Sequence, residues 1–198
     1  MKQKVLLASN NAHKIKEIRA ILGDFFDIVS LREAGVKSDP EEKGKTFEEN
    51  ARIKAVAGMK ASGMPCIADD SGLEVLALDC RPGVMSARYS GSHGDDAANN
   101  EKLLAELADK PDRSARYVCV ICMAFPDGRE LEARGECYGE ILKEKRGNGG
   151  FGYDPLFYFP QFGKTFAEIS AEEKNEVSHR NAALKAFEKL WEKEINDK

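Results

Sequence analysis

Two adjacent carboxylates, Asp69 and Asp70, are followed by the hydroxyl of Ser71 and by Gly72, directly after the apolar Cys66-Ile67-Ala68. A carboxylate at the end of a buried strand can hold Mg²⁺, which takes one or two carboxylates and fills its other positions with water and phosphate oxygens. The same letters also make an ordinary turn. Glu41 and Glu42, in the acidic loop Asp39-Pro40-Glu41-Glu42-Lys43-Gly44, can supply a second ligand, and Lys54 can reach a phosphate from the helix that follows. Ser9-Asn10-Asn11-Ala12-His13-Lys14 falls where a strand feeds a helix, so backbone N–H groups at the helix start point at whatever lies above the sheet. The glycines of G-x-x-x-x-G-K-[ST] are absent, so this is no Walker A loop.

Gly147-Asn148-Gly149-Gly150-Phe151-Gly152 formally satisfies G-x-G-x-x-G. A dinucleotide-binding turn needs a helix directly after it, whereas Tyr153-Asp154-Pro155 and further aromatics follow here. Among the glycines, Phe151 can stack on a flat base, and a carboxylate or backbone amides can read the base edge. His179-Arg180 open the last helical stretch, with Lys174 and Ser178 before them. Cations are disfavoured at a helix N-terminus, so a basic pair there calls for an anion or an acceptor to bind. G-x-S-x-G and H-E-x-x-H are absent and no Cys/His pair is convincing, so serine hydrolase, zincin and cysteine protease chemistry are poor readings.

The elements that must carry these residues alternate. Lys4 to Ala8 reads as a buried strand, and Ile15, Ile18, Ile21 and Leu22 mark a helix. Phe26 to Ser30 reads as a second strand, and Phe47, Ala51, Ala55 and Met59 give a helix over about residues 46–60. Cys66-Ile67-Ala68 is a short strand ending in the Asp-Asp turn, with an extended pattern resuming over Leu73 to Leu78. Leu103, Leu104 and Leu107 mark another helix, and Tyr117 to Phe125 is a buried strand. Pro126-Asp127-Gly128 turns it back as a hairpin with Leu131 to Ile141. Ser170 with Glu173 offers a capping box, and Ala183, Leu184, Phe187, Leu190 and Trp191 form one face of a closing helix, Trp191 in the core. The pattern is that of a mixed-sheet α/β protein.

Composition narrows the partners. The chain has 198 residues, 42% hydrophobic and 32% charged, which suits one globular domain over 1–198 and excludes a disordered or fibrous chain. Thirty Lys and Arg against 34 Asp and Glu, a net charge of −4, argue against a surface that attracts nucleic acid or anionic lipid. The longest apolar run, Val118 to Phe125, is far short of the roughly 20 residues of a membrane span, and the N-terminal stretch is too polar for a signal-peptide core. A cytoplasmic location is therefore expected. The five cysteines, Cys66, Cys80, Cys119, Cys122 and Cys137, read as buried thiols.

Six segments, taken in order, resemble the inosine triphosphate pyrophosphatase family. They are Ala8-Ser9-Asn10-Asn11 through Lys14, Thr46 through Lys54-Ala55, Ala68-Asp69-Asp70-Ser71-Gly72-Leu73, Pro82-Gly83-Val84 through Arg88-Tyr89, Gly149 through Pro155, and Ser178-His179-Arg180. The resemblance implies an elongated α/β fold, two lobes around a central mixed β-sheet with a nucleotide cleft between them, and a homodimer. It also implies Mg²⁺-dependent hydrolysis of ITP, dITP and XTP between the α- and β-phosphates. Carried over by position, Ser9, Asn10, Asn11, Ala12, His13 and Lys14 bind triphosphate. Glu41 and Asp70 serve the metal, Asp70 is also the proton acceptor, and Ser71 touches substrate. Phe151, Gly152, Tyr153, Asp154, Lys174, His179 and Arg180 hold the nucleoside, and Lys54 and Arg88 contact phosphate. The opening motif of the family often begins Thr-Gly where this chain has Ser9-Asn10. Cationic donors at His179 and Arg180 favour purines that carry an O6 acceptor over adenine, which has an N6 donor.

Overall fold

Apolar runs with no polar alternation belong to strands covered on both faces, and β1 (Gln3–Leu7) is such a strand. The computed structural model describes residues 2–196, the His13 side chain excepted. β1 lies parallel to β2 (Phe26–Ser30), Gln3 opposite Phe26, and parallel to the start of β3 (Cys66–Val75), Leu6 opposite Cys66. Between them α1 (Ala12–Leu22) and α2 (Phe47–Ser62) make the crossovers that parallel strands require. Thr46 caps α2 by accepting from Glu49 N, and Gly63, at φ 70°, closes it by donating to Met59 O.

β3 runs unbroken through Asp69-Asp70-Ser71-Gly72, where the letters favour a turn, and ends before a 3-10 turn at Leu76–Leu78. The strand order is β2, β1, β3, β5 (Ser114–Ala124), β6 (Glu130–Ile141), β7 (Phe157–Phe159), β8 (Lys164–Thr165), so β3 has a neighbour on each side, and ladder pairing overrides local turn preference. β4 (Arg81–Pro82) pairs antiparallel with the end of β3. After α3 (Asp96–Glu106), β5 (Ser114–Ala124) and β6 (Glu130–Ile141) are joined by the expected turn, Gly128 N donating to Phe125 O at 3.0 Å. β7 (Phe157–Phe159) and β8 (Lys164–Thr165) extend the antiparallel side. Two helices finish the chain, α4 (Ala171–Val177), with the expected capping box of Ser170 and Glu173, and α5 (His179–Asn196). The sheet is thus mixed, parallel at its start and antiparallel at its end.

The chain divides into two compact units, the first comprising residues 1–70, 119–135 and 180–198 and the second 71–118 and 136–179. Each has its own apolar core. In the first, Ile18 and Leu22 of α1 and Ala183, Leu184 and Phe187 of α5 pack with Val5, Leu7, Ile67 and Ile121. Trp191 joins that core, its ring 4.7 Å from that of Phe26. In the second, Leu73, Leu103, Leu107, Tyr117, Phe157 and Phe166 pack together, with Tyr117 and Phe157 rings 4.6 Å apart. Among the described residues, no helix is long and apolar enough to cross a membrane.

Candidate active site

Successive residues of a strand point to opposite faces, and that rule separates the two carboxylates of β3. Asp69 meets the α1 and α5 side: Lys14 Nζ donates to its Oδ2 at 2.6 Å, and Arg180 Nε stands 3.8 Å from the same oxygen. Arg180 also donates to Glu17 of α1 at 2.6 Å. Asp70 meets α2, where Lys54 Nζ donates to its Oδ1 at 2.8 Å and lies 3.4 Å from Glu42. Burial alone would raise Asp69, but Lys14, Arg180 and Lys54 outweigh it and hold the carboxyl at about 2. For Asp70 burial prevails over Lys54, Glu42 adds its own repulsion, and the carboxyl titrates above its ordinary value. Burial works against the charge of Lys54, yet Asp70, Asp69 and Glu42 together hold the ammonium protonated. The first unit thus gathers cations and carboxylates on both faces of one strand.

The turn from β1 into α1 brings Ser9 to this place. Ala8 N donates to Ile67 O at 2.8 Å, which sets the end of β1 beside the approach to Asp69. Ser9 Oγ accepts from Asn11 N, and Asn11 Oδ1 accepts from Lys14 N, each at 3.2 Å, so these side chains shape the start of α1. Asn10 is exposed, Ala12 begins the helix, and the His13 side chain lies outside the described structure. The acidic loop is tied down at its far end, Gly44 N donating to Asn50 Oδ1 at 2.8 Å and Lys45 N to Glu49 Oε2 at 2.6 Å.

In the second unit, the loop Phe151–Asp154 closes on its own carboxylate. Asp154 is buried and accepts from Phe151 N at 3.0 Å, from Tyr117 Oη at 3.2 Å and from Lys174 Nζ. A side chain at Gly150 would strike it, a Cβ there falling 2.1 Å from Asp154 Oδ2. Lys174 Nζ also lies 4.5 Å over the Phe151 ring, which is 49% exposed. His179 stacks on Tyr117 at 4.8 Å and 14°. Tyr153 is buried and donates to Ser86 O at 2.8 Å, which ties the loop to the 3-10 turn Gly83–Arg88 that ends in Arg88. Ser71 is the first residue of this unit.

The structure brings Lys14 and Lys54 to the carboxylates of β3, and gathers Phe151, Asp154, Lys174 and His179 in the second unit. It turns Glu41 outward, its carboxylate 76% exposed and paired with Lys43 at 2.9 Å, and brings Glu42 to Lys54 instead. Arg180 is engaged by Glu17 and Asp69, all three residues of the first unit. Asp69, to which the resemblance gives no role of its own, holds two of the expected basic residues. Reading β3 as continuous would have revealed it, since a strand there must put Asp69 and Asp70 on different faces.

The donor set suits a hard divalent cation: Asp70 and Glu42 are oxygen ligands flanking one ammonium, and Mg²⁺ needs only one or two carboxylates beside water and phosphate. Among the described residues no three His, Cys, Asp or Glu side chains gather as a closed metal cage. Fold and site together define an α/β protein with cations and carboxylates gathered beside the carboxyl end of the parallel strand β1, the kind of place where ligands of open α/β sheets bind. The chain belongs to the Ham1 family, whose model matches residues 5–190. It is 57% identical over 181 residues to the dITP/XTP pyrophosphatase of Desulfotalea psychrophila, covering 91% of this chain and 81% of that one. With the Haemophilus influenzae dITP/XTP pyrophosphatase it shares 49% identity over 189 residues, 93% of this chain and 96% of the other. The solved Ham1 protein of Staphylococcus aureus superposes with a TM-score of 0.90 at 45% identity, covering 97% of this chain and 100% of that one.

Proposed function

We propose that the protein is a nucleoside triphosphate pyrophosphohydrolase that converts ITP, dITP and XTP to the monophosphate and pyrophosphate, with Mg²⁺ held at Asp70. The observation that carries this reading is the double ion cluster on β3, Lys14 and Arg180 on Asp69, Lys54 on Asp70 and Glu42. Splitting a phosphoanhydride requires the phosphoryl charge to be neutralised and a water to be placed in line. Lys14, Lys54 and the amides at the start of α1 meet the first need. Asp70 meets the second by orienting the water, and burial raises its basicity. Bound at Asp70 with Glu41 or Glu42, Mg²⁺ would withdraw charge from the phosphoryl oxygens. Asp69 acts through Lys14 and Arg180, holding both in place.

The second unit takes the nucleoside. Phe151 offers its ring to the base, and the buried Asp154 fixes the loop under it through Lys174 and Tyr117. His179 and Lys174 are the donors for a purine O6, which ITP and XTP carry and ATP does not. The active form is a cytoplasmic homodimer.

The test is to incubate the purified protein with ITP, GTP and ATP in turn, with and without Mg²⁺, and to identify the product. Pyrophosphate from ITP, only with Mg²⁺ and with little from GTP or ATP, is the expected outcome. Orthophosphate as first product makes it a phosphatase on the same fold, and tight ITP binding without product makes it a binding protein.

A further inference from the structure

Helix α3 grips the Phe151–Asp154 loop from outside. Gly152 donates its N–H to Asp96 Oδ2 at 2.6 Å, and its carbonyl accepts from Asn100 Nδ2 at 2.8 Å. Both backbone groups of one residue are therefore bound by two side chains a helical turn apart. Asn100 Nδ2 also donates to Asp96 O at 2.6 Å, which fixes the orientation of the amide and links the two halves of the clamp. Gly152 sits at φ 62°, in the left-handed region, so the loop reverses at the clamped residue.

Asn100 is 2% exposed, and its Oδ1 has no hydrogen-bond partner among the described residues. A buried acceptor left unsatisfied is destabilising, so packing alone would favour an aliphatic side chain there. The hold on Gly152 accounts for the polar one. We propose that Asp96 and Asn100 are positioning residues for base recognition, fixing the Phe151 ring and the Asp154 backbone through Gly152 without touching substrate. The proposal rests on the reading of this loop as the nucleoside site.

The experiment uses the full-length protein with Asp96→Ala, Asp96→Asn and Asn100→Leu, and reads amide hydrogen exchange at residues 151–152 beside ITP kinetics and melting temperature. Loss of a charge-assisted bond should raise KM for ITP about tenfold in Asp96→Ala, with kcat within about threefold of wild type. Exchange at the Gly152 amide should rise about tenfold as well. Asp96→Asn, which keeps an acceptor oxygen, should recover most of both effects. Asn100→Leu should melt no lower than wild type and still raise KM and exchange. Unchanged exchange in Asp96→Ala and Asn100→Leu overturns the clamp, and a fall in kcat with KM unchanged overturns the positioning role. Should the wild type release no pyrophosphate from ITP, the proposed function fails, while the exchange measurement still decides whether the clamp exists.

Discussion

At the scale of single residues, what matters is which charges face each other without water. Lys54 stands between Asp70 and Glu42, so Asp70→Asn leaves the ammonium one carboxylate and the fold its partner. Removing a group that places the attacking water costs about 10²- to 10⁴-fold in kcat. Pyrophosphate release from ITP by Asp70→Asn should fall by that much, with a melting temperature within about 5 °C of wild type; retained turnover would remove Asp70 from the mechanism. A second carboxylate titrates far from the site. Glu33 accepts from Ser30 N and Ser30 Oγ, each at 2.8 Å, and from Arg19, which hold it near 2 against an ordinary 4.5. In the unfolded chain Glu33 takes up its proton as pH falls through about 4.5, while the folded chain resists until about 2, so its stabilisation is present above that window and lost across it. Melting curves of Glu33→Gln should show a lower transition at neutral pH and a shallower decline between those values; parallel curves would contradict this account.

At the scale of elements, α2 owes its place to a missing side chain. A Cβ at Gly58 would come 2.5 Å from Cys66 Sγ and 3.3 Å from Leu6 Cδ2, so helix and strand touch where Gly58 stands. That contact keeps Lys54, one turn earlier, over Asp70. Gly58→Ala gains about 1 kcal/mol of helix propensity and loses about 1–3 kcal/mol to overpacking. The substitution should therefore lower stability in urea melts. In a Cys66→Ala background the 2.5 Å contact is gone and only the milder one with Leu6 is left, so the same change should cost clearly less; an equal cost in both backgrounds would mean that Cys66 is not the obstacle. The elements themselves were largely legible. Four-residue spacing marks α2, the run Tyr117 to Phe125 marks β5, and Ser170 with Glu173 marks the start of α4. The middle of β3 was not, because Asp, Ser and Gly carry a local turn signal that only its neighbouring strands override.

At the scale of the whole molecule, two cores hold most of the buried apolar side chains, with Cys119 in the first and Cys137 in the second, and Cys66 packs with Leu6 and Leu31 in a smaller cluster. Burial pushes Cys66, Cys119, Cys122 and Cys137 up to about 12, and Cys80 alone is partly exposed. Since the thiolate is the reactive form, an aromatic disulfide reagent at about pH 8 should titrate one of the five cysteines quickly in the native protein and the rest after denaturant. Two or more fast thiols would mean that one of the cores opens. The sequence by itself determined the alternation of elements, the mixed α/β class, the membership of Lys14, Lys54, Asp70, Phe151 and His179 in chemically suited segments, and the family. Periodicity, capping residues and turn letters act within a few residues, so they can be read along the chain. The tertiary structure alone decided that Asp69 and Asp70 serve opposite faces, that Glu42 rather than Glu41 reaches Lys54, that Arg180 is held by Glu17 and Asp69, and that α3 clamps Gly152. Each of those pairings joins residues whose approach is set by strand register and helix packing, and side-chain type at one position does not encode which distant partner the fold will bring to it.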